Sequence, residues 1–210
     1  MMKMSAPKIP YILEDATLEL FFREGELDGC EIYAASAANT QISAFRLYYS
    51  VMKQCDFSNT QLQGADFMDV RFENCDFSNA TFHLASIHRA QFINCKFVGT
   101  KFVETSFGHV QFEQCMLTMA SFERCKLEKV LFGNSTLKQL DFYEVKIKEL
   151  MFDVCDLSDA VFERTKLNGV DMSRSYFEQL TVDINDLKGC VVSREQAVYF
   201  AGLLGVVVEE

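Results

Sequence analysis

CDFSNTQLQGADFMDVRFENCDFSNATF, residues 55–82, carries a large apolar side chain at every fifth position: Phe57, Leu62, Phe67, Phe72, Phe77 and Phe82. The pattern runs on without insertion or deletion to Leu187, through twenty-seven positions, sixteen of them Phe and the others Leu, Ile, Met or Val. With 49% hydrophobic residues overall, such a run has a chance probability on the order of 10⁻⁸, so it is an internal repeat. Neither a helix of period 3.6 nor a flat strand of period 2 keeps every fifth residue on one side. A chain that turns a corner every five residues does. Four sides make a twenty-residue square coil, and stacked coils bury the central side chains along one axis.

Two residues before each large residue stands a slim one, among them Ala65, Val70, Cys75, Ala80, Ala85, Ala90, Cys95 and Thr100. One large and one small inward residue per five fill a narrow square interior at native density. Gly64-Ala65-Asp66-Phe67, Asn79-Ala80-Thr81-Phe82 and Asp159-Ala160-Val161-Phe162 resemble the A(D/N)LXX unit of pentapeptide-repeat proteins. That resemblance implies an all-β solenoid, a right-handed quadrilateral β-helix. A fold alone does not imply a function.

The 210 residues suffice for one sizeable unit, and in a solenoid stability is roughly a sum over neighbouring coils. The net charge of −10 argues against a conventional basic nucleic-acid binder, because phosphate contacts need Lys and Arg. All eight cysteines (30, 55, 75, 95, 115, 125, 155 and 190) lie in the slim register, so they read as core filler in place of Ala. Side chains from successive coils run parallel and do not point at each other, which disfavours disulfides. No His or carboxylate shares the cysteine register, so a metal ladder is not expected. Many unpaired thiols suggest a reducing compartment. No signal peptide, lipid motif or membrane-spanning apolar run is visible, and a cytoplasmic location without membrane contact is expected.

Residues 1–20 read as an irregular N-terminal cap, with a short strand or cap over Tyr11–Leu20. The repeat domain is expected over 21–192, strict over 55–187, its looser start running from Phe22 through Leu27, Ile32, Ala37, Ile42, Leu47 and Met52. Phe45 falls in a slim position there, and Leu47-Tyr48-Tyr49 offers an alternative contact surface. Residues 193–210 form a C-terminal helix and tail: Ser193 and Gln196 make a capping box, the helix runs from Arg194 to about Leu204, and Gly205 ends it. Phe200, Leu203, Leu204, Val206, Val207 and Val208 exceed what one small end can hide, and are expected to form a self-association surface.

Stepping by twenty sorts the outward residues into four faces, three richer in acids than in bases. One, centred on Leu62 to Val182, displays Glu104, Glu123, Asp141, Glu144, Glu163 and Asp183 against Lys101, Arg124 and Arg164. The face centred on Phe67 to Leu187 is mildly basic, stacking Lys126, Lys146 and Lys166 with Arg89, Lys129, Lys148 and Lys188 alongside. His83, His88 and His109 fall on outward positions without a third ligand. No phosphate loop, dinucleotide fingerprint or hydrolase motif occurs. A convex rod offers no cleft to desolvate a carboxylate, so neither catalysis nor a cofactor is expected.

The ending 187–197, followed by Ala201-Gly202-Leu203-Leu204-Gly205-Val206-Val207-Val208, resembles that of the Qnr and MfpA pentapeptide proteins associated with fluoroquinolone resistance. The resemblance implies a homodimer joined through its C-terminal ends, binding DNA gyrase or topoisomerase IV by presenting a duplex-like acidic surface. Unlike many Qnr proteins, this chain has no loop interrupting its strict repeats. Two other readings compete. One is a generic interaction rod using apolar spots such as Met116 with Met119 or Leu131 with Met151. The other is an immunity protein against a topoisomerase-targeting toxin.

Overall fold

The computed structural model describes residues 2–209; Met1 and Glu210, the extremes of the expected cap and tail, lie outside the described residues. The five-residue period builds a parallel β-solenoid. Residues twenty apart pair in register, Phe72 with Phe92, then Phe112, Phe132 and Phe152. One wall is an eight-stranded sheet of short strands running from Gln41–Ser43 to Leu180–Val182. Eight-residue strands such as Ser86–Ile93 bend round a corner and supply two more walls. The fourth is a ladder of single bridges through Ser36, Asp56, Asp76, Lys96, Met116, Thr136, Asp156 and Tyr176.

The corners have a common backbone cause. From Gly29 to Gly169 every fifth residue has a positive φ, with one exception, Glu149. The left-handed conformation turns the chain sharply, which is why Asn, which tolerates it, recurs at 39, 59, 74, 79, 94 and 134.

Inside, the large register is buried at every position from Phe57 to Phe142. The rings stack: Phe92 lies 4.9 Å from Phe112, and Phe112 lies 4.9 Å from Phe132, with planes within 12°. Neighbouring stacks meet edge to face, as in Phe92–Phe97 at 84°, the favoured geometry for aromatic quadrupoles. The slim register does more than fill space. Its thiols and hydroxyls donate to a carbonyl of the preceding coil, Cys115 Sγ to Phe92 O at 3.3 Å and Thr100 Oγ1 to Phe77 O at 2.7 Å. A buried carbonyl gains a partner in this way. All eight cysteines are free, and burial pushes the Cys155 thiol up to about 11.

The two ends differ from expectation in one respect each. Phe22 does not open the interior register. It lies in a short helix, α1 (Leu18–Glu24), and is exposed, while Leu18 and Phe21 of the same helix are buried and close the column. The first coil strand is Glu26–Asp28. Phe45 is fully buried between Phe21 and Phe67 (ring centroids 4.5 and 5.4 Å). At the other end, α2 (Arg194–Leu203) begins with the expected capping box. Gln196 Nε2 donates to Met172 O and Ser175 O, and Phe200 packs on Phe177. Phe200 is therefore part of the cap, and its expected place on an association surface is corrected.

Candidate functional site

The acids of the Leu62–Val182 face come from two kinds of position. Glu123, Asp141 and Glu163 project from the short strands Ser121–Glu123, Asp141–Tyr143 and Ala160–Glu163. Glu104 and Glu144 sit at corners with positive φ, as do Arg124 and Arg164 between and beyond them. Corners one coil apart are neighbours, so the column Glu104, Arg124, Glu144, Arg164 alternates in charge. Arg124 reaches Glu104 at 3.4 Å and Glu123 at 2.7 Å, and Arg164 reaches Glu144 at 3.1 Å. Asp183 caps the 3₁₀ turn Ile184–Leu187, accepting from Asn185 N at 2.8 Å.

The six expected acids are thus not equivalent. Glu144 is neutralised, Glu104 and Glu123 share one guanidinium, and Asp183 serves a turn. Asp141 and Glu163 have no ion-pair partner among the described residues. Partial burial, then the fields of Glu163 and Glu123, hold the Asp141 carboxyl above its usual range. This is the place where like charges accumulate. The sequence contained the signal for the arginine pairs, since Arg124 stands twenty residues from both Glu104 and Glu144; a count of face charge without that step misses them.

Acids on the bridge-ladder face serve another purpose. Asp56, Asp76 and Asp156 each accept from the backbone N–H two residues on, Ser58, Ser78 and Ser158, at 2.8–3.0 Å. Such Asx turns shape the corner locally. For Asp156 burial opposes ionisation, but bonds from Ser158, Tyr176 and Lys138 outweigh it and bring the carboxyl down to about 2. A carboxylate so engaged is part of the coil.

The remaining expected residues fall as follows. Leu203, Leu204, Val206, Val207 and Val208 are all exposed, Val207 at 87%. Val191, at the close of the last coil, and Val198, on α2, are exposed as well. Met116 and Met119 are exposed, whereas Leu131 and Met151 are partly buried cross-strand partners. His88 and His109 meet edge to face at 5.7 Å, and His109 Nδ1 accepts from Ser5 N. Among the described residues no group of three or more His, Cys, Asp or Glu is arranged to hold a metal, and no helix is long and apolar enough to cross a membrane.

A family model described as "Pentapeptide repeat region" matches residues 65–142, and one described as "Pentapeptide repeats (8 copies)" matches 38–74 and 155–180. No curated protein matches. Among solved structures, a trypsin-treated form of QnrB1, titled a plasmid-mediated fluoroquinolone resistance protein, is 20% identical over 88% of this chain and 100% of its own, with a TM-score of 0.42. Full-length QnrB1 is 18% identical over 84% and 100%, with a TM-score of 0.37. HetL, titled a pentapeptide repeat protein involved in heterocyst differentiation regulation from Nostoc sp. strain PCC 7120, is 13% identical over 87% and 98%, with a TM-score of 0.33. Similarity of this degree concerns the coil alone.

Proposed function

This chain belongs to the pentapeptide-repeat family, and from that premise we propose that it is a non-enzymatic DNA mimic that binds DNA gyrase or topoisomerase IV and modulates fluoroquinolone action. The observation that carries the reading is the placement of Glu123, Asp141 and Glu163 on three neighbouring strands of one sheet, where like charges repel and where Asp141 and Glu163 have no ion-pair partner among the described residues. A cationic saddle built for a DNA segment relieves that repulsion on contact. DNA carries one charge per about 1.7 Å, whereas coils recur at about 4.8 Å and half the acids of this face are paired. Charge density here is well below that of a duplex, so shape and length carry much of the fit.

Length comes from self-association in this proposal. Leu203, Leu204 and Val206–Val208 pack against their copies about a two-fold axis, doubling the rod and leaving Phe200 in its own cap.

The test is inhibition of supercoiling by purified gyrase. Charge reversal of Glu123, Asp141 and Glu163 to Lys is expected to weaken inhibition by tenfold or more, about 1.4 kcal/mol, and to flatten its salt dependence. Reversal of Asp56 and Asp76, which shape turns, is expected to lower thermal stability without a specific loss of inhibition. If wild type never competes with DNA for the enzyme, mimicry fails, and the exposed Met116 and Met119 become the better starting point for a generic interaction rod.

A further inference from the structure

The single gap in the series of left-handed corners lies at Glu149. The strand pairing slips at the same point. Leu127 faces Ile147, but Glu128 then faces Glu149, leaving Lys148 outside the ladder. Ile147, in the register buried elsewhere in mid-column, is only half-buried. Irregularities of this kind cluster beside functional surfaces because they re-aim side chains.

Beside the slip the surface opens into a groove lined by Lys126, Lys146, Lys148, Lys166, Arg124 and Arg164, with Glu144 as its one acid. Three of these cations have partners: Arg124 the pair Glu104 and Glu123, Arg164 Glu144, and Lys148 Glu128. Lys126, Lys146 and Lys166 have no ion-pair partner among the described residues. Lys126 and Lys146 are direct cross-strand partners, and Lys166 stands one coil further on.

Like charges opposite each other on neighbouring strands destabilise a sheet. The fold does not require them, since Ser106 and Ser86 occupy the same column one and two coils earlier. Three uncompensated ammonium groups within about two coil spacings, roughly 10 Å, stand out on a chain of net charge −10. A lysine ladder presents point charges on flexible stems, suited to phosphate oxygens. Overall negative charge repels a long polyanion such as duplex DNA, whereas a short, highly charged anion feels mainly the local field.

We propose that the groove along Lys126, Lys146 and Lys166 binds a condensed phosphate chain of three or more phosphates, free or as the tail of a nucleoside triphosphate. The inference is independent of any topoisomerase contact, which uses other residues.

The experiment is calorimetric titration of the full chain at low ionic strength with inorganic tripolyphosphate, ATP and orthophosphate. The comparison is with the triple variant Lys126→Ser, Lys146→Ser, Lys166→Ser, which copies residues the column already holds. A second variant, Lys96→Ser with Lys138→Ser, removes two cations elsewhere. Tripolyphosphate is expected to bind one per chain, with affinity lower by about tenfold or more in the triple variant and unchanged in the second. Equal binding of ATP identifies the chain of phosphates as the recognised unit; tighter binding of ATP identifies the nucleotide. Both support the proposal. Absence of binding to wild type, equal affinity for orthophosphate, or undiminished binding by a triple variant of native melting temperature overturns it.

Discussion

Val154 holds a φ of 57° while half-exposed, a conformation that its branched Cβ resists. Every other corner from Gly29 to Gly169 that adopts the left-handed region does so with a residue not branched at Cβ, Asn and Gly prominent among them. Replacing Val154 by Asn relieves a cost of about 1–2 kcal/mol, and equilibrium denaturation is expected to show a gain of roughly 0.5–1 kcal/mol. Phe112 is the opposite case. It is fully buried between Phe92 and Phe132 in a continuous stack, so Phe112→Ala is expected to cost about 3–5 kcal/mol through the cavity it leaves. The thiols give a third residue-scale expectation. Burial pushes Cys125 up to about 12 and Cys155 to about 11, and only Cys190 among the eight is less than fully buried. Titration with a thiol reagent at pH 8 should therefore modify at most Cys190 in the native protein and all eight cysteines in denaturant.

At the scale of elements, the two helices solve the same problem by different chemistry. A solenoid's end coils expose their interiors, and terminal caps are needed. Helix α1 covers its end with two apolar residues, Leu18 and Phe21, and its N-cap Thr17 makes no side-chain capping bond. Helix α2 adds polar closure: Gln196 bonds two carbonyls of the last coil, and the Tyr199 hydroxyl both accepts from Leu180 N and donates to Leu180 O. Gln196→Ala leaves Ser175 O without its donor, while Met172 O keeps the Ser175 N–H, and is expected to lower stability by about 1–3 kcal/mol, read as a melting shift that begins in the last coil by hydrogen exchange. Truncation after Ser193 would uncover the column and confuse capping with association. The cleaner test of the dimer is Leu204→Asp with Val207→Asp, both outside the cap. Sedimentation should find wild type dimeric and this variant monomeric, with melting of the coil unchanged.

For the whole molecule, acid stability follows from carboxylates that the coil holds. Bonds from Arg89 outweigh burial to lower the Asp69 carboxyl, and Asp156 lies near 2. A depressed folded-state value contributes stability that is complete above the unfolded value near ~3.9 and lost as pH falls through the folded one. The melting temperature should accordingly hold down to about pH 4 and fall between there and pH 2. Asp69→Asn and Asp156→Asn should each lower the plateau and shrink that fall. Asp141 moves the other way: partial burial and the fields of Glu163 and Glu123 raise its carboxyl, so it gives up its charge more readily than an ordinary Asp, and inhibition of a topoisomerase should weaken as pH falls.

The coil, its register and the polarity of its faces were legible in the sequence because one local rule, a large and a slim inward residue every five, is repeated without a gap. A repeated local conformation has only one way to stack, so each coil fixes the next. The capping box at Ser193 was equally local. What only the tertiary structure decided arises where coils meet or end. Phe22 keeps the five-residue spacing yet lies outside the column, because a helix that buries Leu18 and Phe21 closes the end better than another strand. Phe200 went to the cap for the same reason. Which of the acids near it Arg124 reaches was settled by contact, Glu123 at 2.7 Å and Glu104 at 3.4 Å, and the slip at Glu149 opens the lysine groove although the sequence there keeps perfect period. Pairing between coils, not spacing along the chain, determines which charges remain free.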